Sequence, residues 1–203
     1  MEVKVVKNKG KVLKVSVKEI NVGMANAIRR VAYGEIPVMA VGELDITANN
    51  SGLVDEILAH RFGMIPLVWP TKGYNLPSEC KCSGKGCSNC EVKLSVKKEG
   101  PAMVYSGDLK SDDKEVHPDD PKIPIVELLE HQKVDVVAYA KLGFGKDHAK
   151  HQASIVGYTK GQGGFTFNIE SSCGLTGAEV FARTLDVISE RAEEFTKLIK
   201  KEL

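Results

Sequence analysis

The sequence predicts an α+β fold in two parts: a layer of sheet and helices assembled from both chain ends, and a β-rich insertion between them. Three observations predict it. Residues 2–6 (EVKVV) and 11–17 (KVLKVSV) alternate apolar and charged positions and lead into a helical stretch. FTFNIESS, residues 165–172, leads into a long run with apolar residues every three or four positions. Between these ends lies CKCSGKGCSNC, residues 80–90, holding four of the chain's five cysteines. The boundaries follow from pairing the ends: 1–39 with 161–203 for the terminal layer, 40–160 for the insertion.

The bulk properties are those of an ordinary folded chain. At 203 residues, 42% hydrophobic and 27% charged, it has room for one large domain or two small ones. A net charge of +1 gives no overall basic field to draw it to DNA or an anionic membrane. The start, MEVKVVKNKGKVLKV, has no apolar core of a signal peptide, and no stretch approaches ~18 consecutive apolar residues. The expected compartment is the cytoplasm, where clustered cysteines more often mean metal than disulfides.

In chain order, the alternating pair around NKGK reads as a β-hairpin with one wet face. NVGMANAIRRVAYGEIP reads as a helix over about 22–33, capped by Asn21, with Met24, Ile28, Val31 and Ala32 at helical spacing. VMAVGELDITAN reads as a strand, and a short helix runs from about Leu53 to Phe62, ended by Gly63 and Pro66. Period-two alternation marks EVKLSVKKEG and AMVYSGDL as strands. The polar run from Ser106 to Pro124 reads as a solvated loop, IVELLEHQ as a short helix, and VDVVAYAKLGFG and ASIVGYT as strands. Thr176 and Glu179 form a T-x-x-E capping box.

Cys80, Cys82, Cys87 and Cys90 follow the spacing C-x-C-x4-C-x2-C. Four thiolates so close, with Gly84 and Gly86 letting the loop fold back, suit one tetrahedral zinc ion. Two other readings compete. A disulfide pair needs an oxidising compartment, and the spacing fits neither common ferredoxin run for an iron–sulfur cluster. A closed thiolate shell leaves no position for substrate, so the zinc is structural. Lys81, Lys85 and Lys93 would offset its formal negative charge. Cys173 reads as a small buried apolar residue.

Beyond the capping box, Phe181, Leu185, Ile188, Ala192, Phe195 and Ile199 step 4, 3, 4, 3, 4. A helix over about 177–201 would be ~37 Å long, more than a small sheet needs for cover. The spacing averages near 3.5, the period that keeps two helices facing each other. Two readings stand: a long core helix on its own sheet, or a stripe that packs, with the helix near Asn26, against another chain.

Residues 25–67, ANAIRRVAYGEIPVMAVGELDITANNSGLVDEILAHRFGMIPL, resemble a specific family. It is the family of the D-type subunit of archaeal RNA polymerase, the third-largest subunit of eukaryotic RNA polymerase II and the N-terminal part of the bacterial alpha subunit. The resemblance includes Asn26-x-x-Arg29-Arg30, Glu35-Ile36-Pro37, Asp55-Glu56, Ala59-His60-Arg61 and Ile65-Pro66-Leu67. Further on, GFGKDHAKHQASIVGYT matches with His148, Ala149 and Lys150 in place, and FNIESSCGL with the capped helix matches the family's C-terminal end. The resemblance implies a discontinuous dimerisation domain with an inserted β-rich domain. It implies pairing with a small L-type subunit through the first and last helices, by Met24, Ile28, Val31, Phe181, Leu185, Ile188, Ala192, Phe195 and Ile199. It further implies docking of the small N-type and P-type subunits and of the second-largest, B-type subunit, the last through Arg29, Arg30, His148 and Lys150. Catalysis belongs to other subunits. Many archaeal relatives insert a ferredoxin-like domain, often with iron–sulfur clusters, after the segment that here reads SIVGYT. Only KGQGG, residues 160–164, stands there in this chain, so no cluster is expected.

Each functional residue has a plainer reading. Arg29 and Arg30 on an isolated helix would be solvated. Glu56 and His60 lie i, i+4 as in zinc hydrolases, but no H-E-x-x-H or third ligand accompanies them. An independent zinc-containing nucleic-acid-binding protein is the alternative, yet no aromatic lies between the four cysteines to stack on a base. A Cys173 nucleophile would need a base, and no local motif supplies one.

Overall fold

The computed structural model describes residues 1–202. In chain order these form β1 (Glu2–Lys9), β2 (Val12–Lys18), α1 (Val22–Gly34), β3 (Pro37–Asn49), α2 (Asp55–Gly63), β4 (Leu67–Val68) and β5 (Glu91–Glu99). There follow β6 (Ala102–Tyr105), β7 (Lys110–Ser111), β8 (His117–Pro118), β9 (Pro124–Leu128), β10 (Lys133–Phe144), β11 (Ser154–Gly161), β12 (Gly164–Ser171) and α3 (Gly177–Glu202). The chain divides into a terminal unit, Met1–Pro37 with the chain from Phe144 onward, and an inserted unit, Val38–Gly143.

The terminal unit is built on an antiparallel sheet of order β1-β2-β12-β11. Apolar alternation decides which face is covered. Leu13, Val15 and Val17 of β2 and Phe165, Phe167 and Ile169 of β12 all point to one side and are buried. Helix α3 lies on that side, with the Phe181 ring 6.3 Å from that of Phe167. Its start is pressed onto the hairpin: a Cβ on Gly177 would stand 2.8 Å from the Lys11 carbonyl oxygen and 2.9 Å from the Leu13 nitrogen. Only glycine allows that approach. The capping box forms as its residues dictate. The Glu179 N–H donates to Thr176 Oγ1 at 3.2 Å, and the Thr176 N–H donates to Glu179 Oε2 at 2.7 Å. Helix α1 begins where Asn21 Oδ1 accepts from the Met24 N–H at 2.8 Å, and it packs against α3 and β11.

The opposite face of this sheet is mostly polar, with Val12 and the exposed Ile155 among its outward positions, and β1 is exposed along its whole length. The sequence assigns the hairpin one wet face; β1 as an edge strand has two, because the helices cover β2 and β12. Strand β11 also belongs to this sheet. The reading of ASIVGYT, residues 153–159, as a strand assigns it no partner; its pairing with β12 brings it into the terminal unit, whose second boundary falls at 143/144 and not at 160/161.

The inserted unit holds a sheet of order β3-β10-β5-β7 and two short ribbons, β4 with β8 and β6 with β9. Val92, Leu94 and Val96 of β5 alternate inward with Val134, Val136, Ala138 and Ala140 of β10. Leu58 and Phe62 of α2 are fully buried, and α2 packs on β9. IVELLEHQ, expected as a helix, is instead strand β9 and the turn after it. Val126 pairs with Val104 of β6, and Ile125, Val126 and Leu128 are buried. A short apolar run satisfies both periods, and the partner strand decides. The run from Ser106 to Pro124 is not wholly solvated either: Ser106, Leu109 and Val116 are buried.

Candidate functional site: a cysteine cluster and an uncovered helix stripe

The sulfur atoms of Cys80, Cys82, Cys87 and Cys90 all lie within 4.8 Å of one another. Cys80 and Cys87 stand 3.5 Å apart, Cys82 and Cys90 3.5 Å, and Cys87 and Cys90 3.7 Å. A metal with bonds near 2.3 Å to four tetrahedral sulfurs needs edges of about 3.8 Å, so the donor set fits such an ion closely. Backbone turns create the cluster. The Ser83 N–H donates to the Cys80 carbonyl at 2.9 Å, and the Cys90 and Glu91 N–H groups share the Cys87 carbonyl, each at 2.9 Å. Gly86 has φ +88°, a backbone conformation that other residues rarely adopt, so a side chain at this corner would be strained.

The loop is fastened to its own unit on two sides. The Asn75 N–H donates to the Asn89 carbonyl at 2.7 Å, and the Tyr74 hydroxyl donates to the Asp113 carboxylate. Burial and that carboxylate together push the Tyr74 pKa up. Burial likewise pushes Cys90 up to about 12, while its thiol, donating to Cys82, brings Cys82 down to about 6. The crowding thus shifts the two thiols in opposite directions, Cys82 toward the thiolate form that a metal ligand takes. Lys141 bridges Glu43 at 2.9 Å and Glu91 at 3.1 Å. Lys93 lies over the Tyr139 ring at 5.6 Å, engaged there whatever it contributes to the cluster. Cys173 is buried, and burial raises its pKa, which suits a packed thiol and not a nucleophile.

Helix α3 spends one line of residues on its own unit and leaves another bare. Gly177, Val180 and Thr184 are its buried positions, and Arg191 further along pairs with Glu35 at the end of α1. The predicted stripe is offset from that line. Phe181 and Ile188 are half-buried, Ala192 is exposed, and Leu185, Phe195 and Ile199 are 44%, 66% and 43% exposed. Leu198 joins them at 53%. On α1 the result differs by residue. Met24 is exposed, whereas Ile28 and Val31 are buried in the chain's own unit, because α1 packs that face on α3 and β11.

The structure brings the two ends of the expected docking set onto one region. The Lys146 N–H donates to the Gly34 carbonyl at 3.0 Å, and Ser154 Oγ donates to the Ala32 carbonyl at 2.7 Å. The segment with His148 and Lys150 is thereby fastened to the C-terminal end of the helix with Arg29 and Arg30. Gly145 permits the join, since a Cβ there would stand 2.8 Å from the Tyr33 oxygen. Arg29 donates to Asn26 Oδ1 at 2.9 Å, Arg30 is exposed, and His148 Nδ1 accepts from the Lys150 N–H at 3.1 Å. Arg61, by contrast, donates to the Ile125 carbonyl at 2.5 Å. It is a brace between α2 and β9, a role that no sequence signal marks. His60 lies in a cleft with Arg61, Met64 and Ile123, which supplies no second metal ligand.

A family profile described as the RNA polymerase Rpb3/RpoA insert domain matches residues 44–159, more than half of the chain. The chain belongs to the RNA polymerase Rpb3/RpoA family. Its relatives include DNA-directed RNA polymerase subunit Rpo3 of Pyrococcus furiosus, 46% identical over 158 residues, covering 78% of this chain and 58% of the relative. The Thermococcus kodakarensis subunit Rpo3 is 44% identical over 158 residues, 78% of this chain and 59% of the relative. That of Methanosarcina mazei is 38% identical over 180 residues, 88% of this chain and 68% of the relative. The chain thus spans about three fifths of the length of the first two relatives. The Rpb3/RpoA segment at 44–159 contains the four cysteines, α2 and most of β11, whereas α1 and α3 lie outside it. No described helix is long and apolar enough to cross a membrane.

Proposed function

We propose that this chain is a non-catalytic assembly-platform subunit of a DNA-directed RNA polymerase, the counterpart of the archaeal D-type subunit, acting in the cytoplasm. Its terminal unit is a discontinuous dimerisation domain. Met24 of α1 and Phe181, Leu185, Ile188, Ala192, Phe195 and Ile199 of α3 meet a small L-type subunit. Ile28 and Val31 support α1 from beneath. Arg29, Arg30, His148 and Lys150 dock the second-largest, B-type subunit, and the N-type and P-type subunits join the same platform. The four cysteines hold one structural zinc ion, which keeps an otherwise coreless loop folded.

The observation that carries the reading is the offset on α3. The residues that the chain's own unit buries, Gly177, Val180 and Thr184, run along one line, whereas the apolar side chains of Leu185, Phe195, Leu198 and Ile199 stand exposed along another. Burying each large apolar side chain of that ridge contributes about 1.5–3 kcal/mol, enough in sum to offset the cost of association. The Rpo3 relatives are named as subunits of a DNA-directed RNA polymerase, which supports reading the ridge as a contact between subunits.

Co-expression with the small L-type subunit tests it. The expected result is a soluble one-to-one complex that Leu185→Asp with Phe195→Asp abolishes, with metal content unchanged. Undiminished assembly of that double variant would reject the interface.

A further inference from the structure

We propose that the outer face of the terminal sheet is a contact surface for a nucleic-acid phosphate backbone, engaged without regard to base sequence. The charge of the chain is unevenly distributed. Residues 1–18 carry six lysines and one glutamate, although the whole chain has a net charge of only +1. Strand pairing then decides where those lysines go. Val3 pairs with Val17 and Val5 with Val15, so both valines share the helix side of the sheet, and Lys4, opposite Ser16, shares the outer side.

A simple alternation would next put Val6 outward and Lys7 inward. The register shifts between Val5 and Lys7, so that Lys7 stands opposite Lys14 and Lys9 opposite Val12. Because β2 buries Leu13, Val15 and Val17, its even-numbered residues face outward. The irregularity in β1 therefore puts Lys4, Lys7, Lys9, Lys14 and Lys18 on one face. Among the described residues only Lys18 of these five is in an ion pair, with Glu2 at 2.9 Å. Glu170, opposite Val12, is the other acid on this face.

The rest of the face suits phosphate more than carboxylate. A shallow depression of about 500 Å³ is lined by Lys4, Lys14, Ser16, Thr159, Thr166 and Asn168, with Val6 as its apolar side chain. Hydroxyl and amide side chains between ammonium groups are the usual partners of phosphate oxygens. Lysines at alternate positions of a strand sit about 6.6 Å apart, a step comparable to that between successive phosphates of one strand. An acidic protein surface would be met better by arginine, whose fork binds carboxylates in two places, and none of the paired outward positions is arginine. Nor is any of them aromatic, so the face has nothing to stack on a base and reads no sequence.

The test is fluorescence anisotropy of the purified full chain with a mixed-sequence single-stranded 20-nucleotide oligonucleotide at several salt concentrations. Lys4→Gln, Lys7→Gln, Lys9→Gln and Lys14→Gln together are expected to weaken binding about tenfold or more at low salt. The slope of log affinity against log salt should flatten by about 0.7 per lysine removed. The matched control replaces Lys72, Lys110, Lys114 and Lys122 of the inserted unit with Gln, changing net charge equally, and should bind as the parent does. Equal loss in the control, no loss in the hairpin variant, or competition by polyglutamate as effective as by unlabelled oligonucleotide would each overturn the proposal. The outcome is independent of the assembly reading, since none of the substituted residues lies on α1 or α3.

Discussion

At the scale of single residues, the strongest constraints are chemical. Cys80, Cys82, Cys87 and Cys90 converge to tetrahedral spacing, and losing one leaves three donors and an open site. Elemental analysis of the purified chain should find about one zinc per molecule, absent after Cys87→Ser with Cys90→Ser; iron in its place would reject zinc. Acidification should release the ion as the thiolates take up protons. The capping box offers a second test. Hydrogen bonds from the Thr176 backbone N–H and hydroxyl hold the Glu179 carboxyl below its ordinary value of 4.5. A carboxylate lowered in the folded state stabilises it above that value, and the contribution is lost as pH falls through the folded one. Glu179→Gln should therefore melt below the parent at pH 7, the difference closing in acid. Thr176→Ala should cost about 1 kcal/mol in denaturant unfolding.

At the scale of elements, α3 makes two separable demands. Its buried line, Gly177, Val180 and Thr184, belongs to the fold of this chain, whereas Leu185, Phe195, Leu198 and Ile199 stay exposed. Val180→Asp would bury an unpaired charge and should lower the stability of the isolated chain by about 3 kcal/mol or more. Phe195→Asp, at a 66% exposed site, should leave that stability within about 0.5 kcal/mol. Unfolding of the two variants side by side separates the roles, and equal losses would show that Phe195 is covered within the chain. The hairpin makes a similar distinction between pattern and pairing. Valine and lysine alternate along β1, yet the register shift sets which lysines share a face.

At the scale of the whole molecule, an apolar ridge with nothing over it has a cost in solution. The chain alone should self-associate with rising concentration in sedimentation, and Leu185→Asp with Phe195→Asp should suppress this. Much of the organisation was legible beforehand. Period-two alternation found β2, β5 and β6, the runs VDVVAYAKLGFG and FTFNIESS read as the strands that are β10 and β12, the Asn21 and Thr176 caps fixed the starts of α1 and α3, and cysteine spacing found the cluster. What escaped was decided by partners distant in sequence. IVELLEHQ became β9 because Val104 lies across from it, and 154–161 joined the terminal sheet because β12 accepts its hydrogen bonds. Ile28 and Val31 looked equivalent to Met24 on the helix surface, and only packing against α3 and β11 distinguishes them.

The turn between β11 and β12 has a consequence for architecture. Gly161 pairs directly with Gly164, and Gly163 closes the connection with φ +77°. A Cβ on Gly164 would stand 2.3 Å from the Val17 oxygen, whereas Gly161 and Gly163 have open space around them. The tip between them is therefore a natural splice point: an extra folded module could be threaded in there and hang clear, while the strands on either side stayed in register.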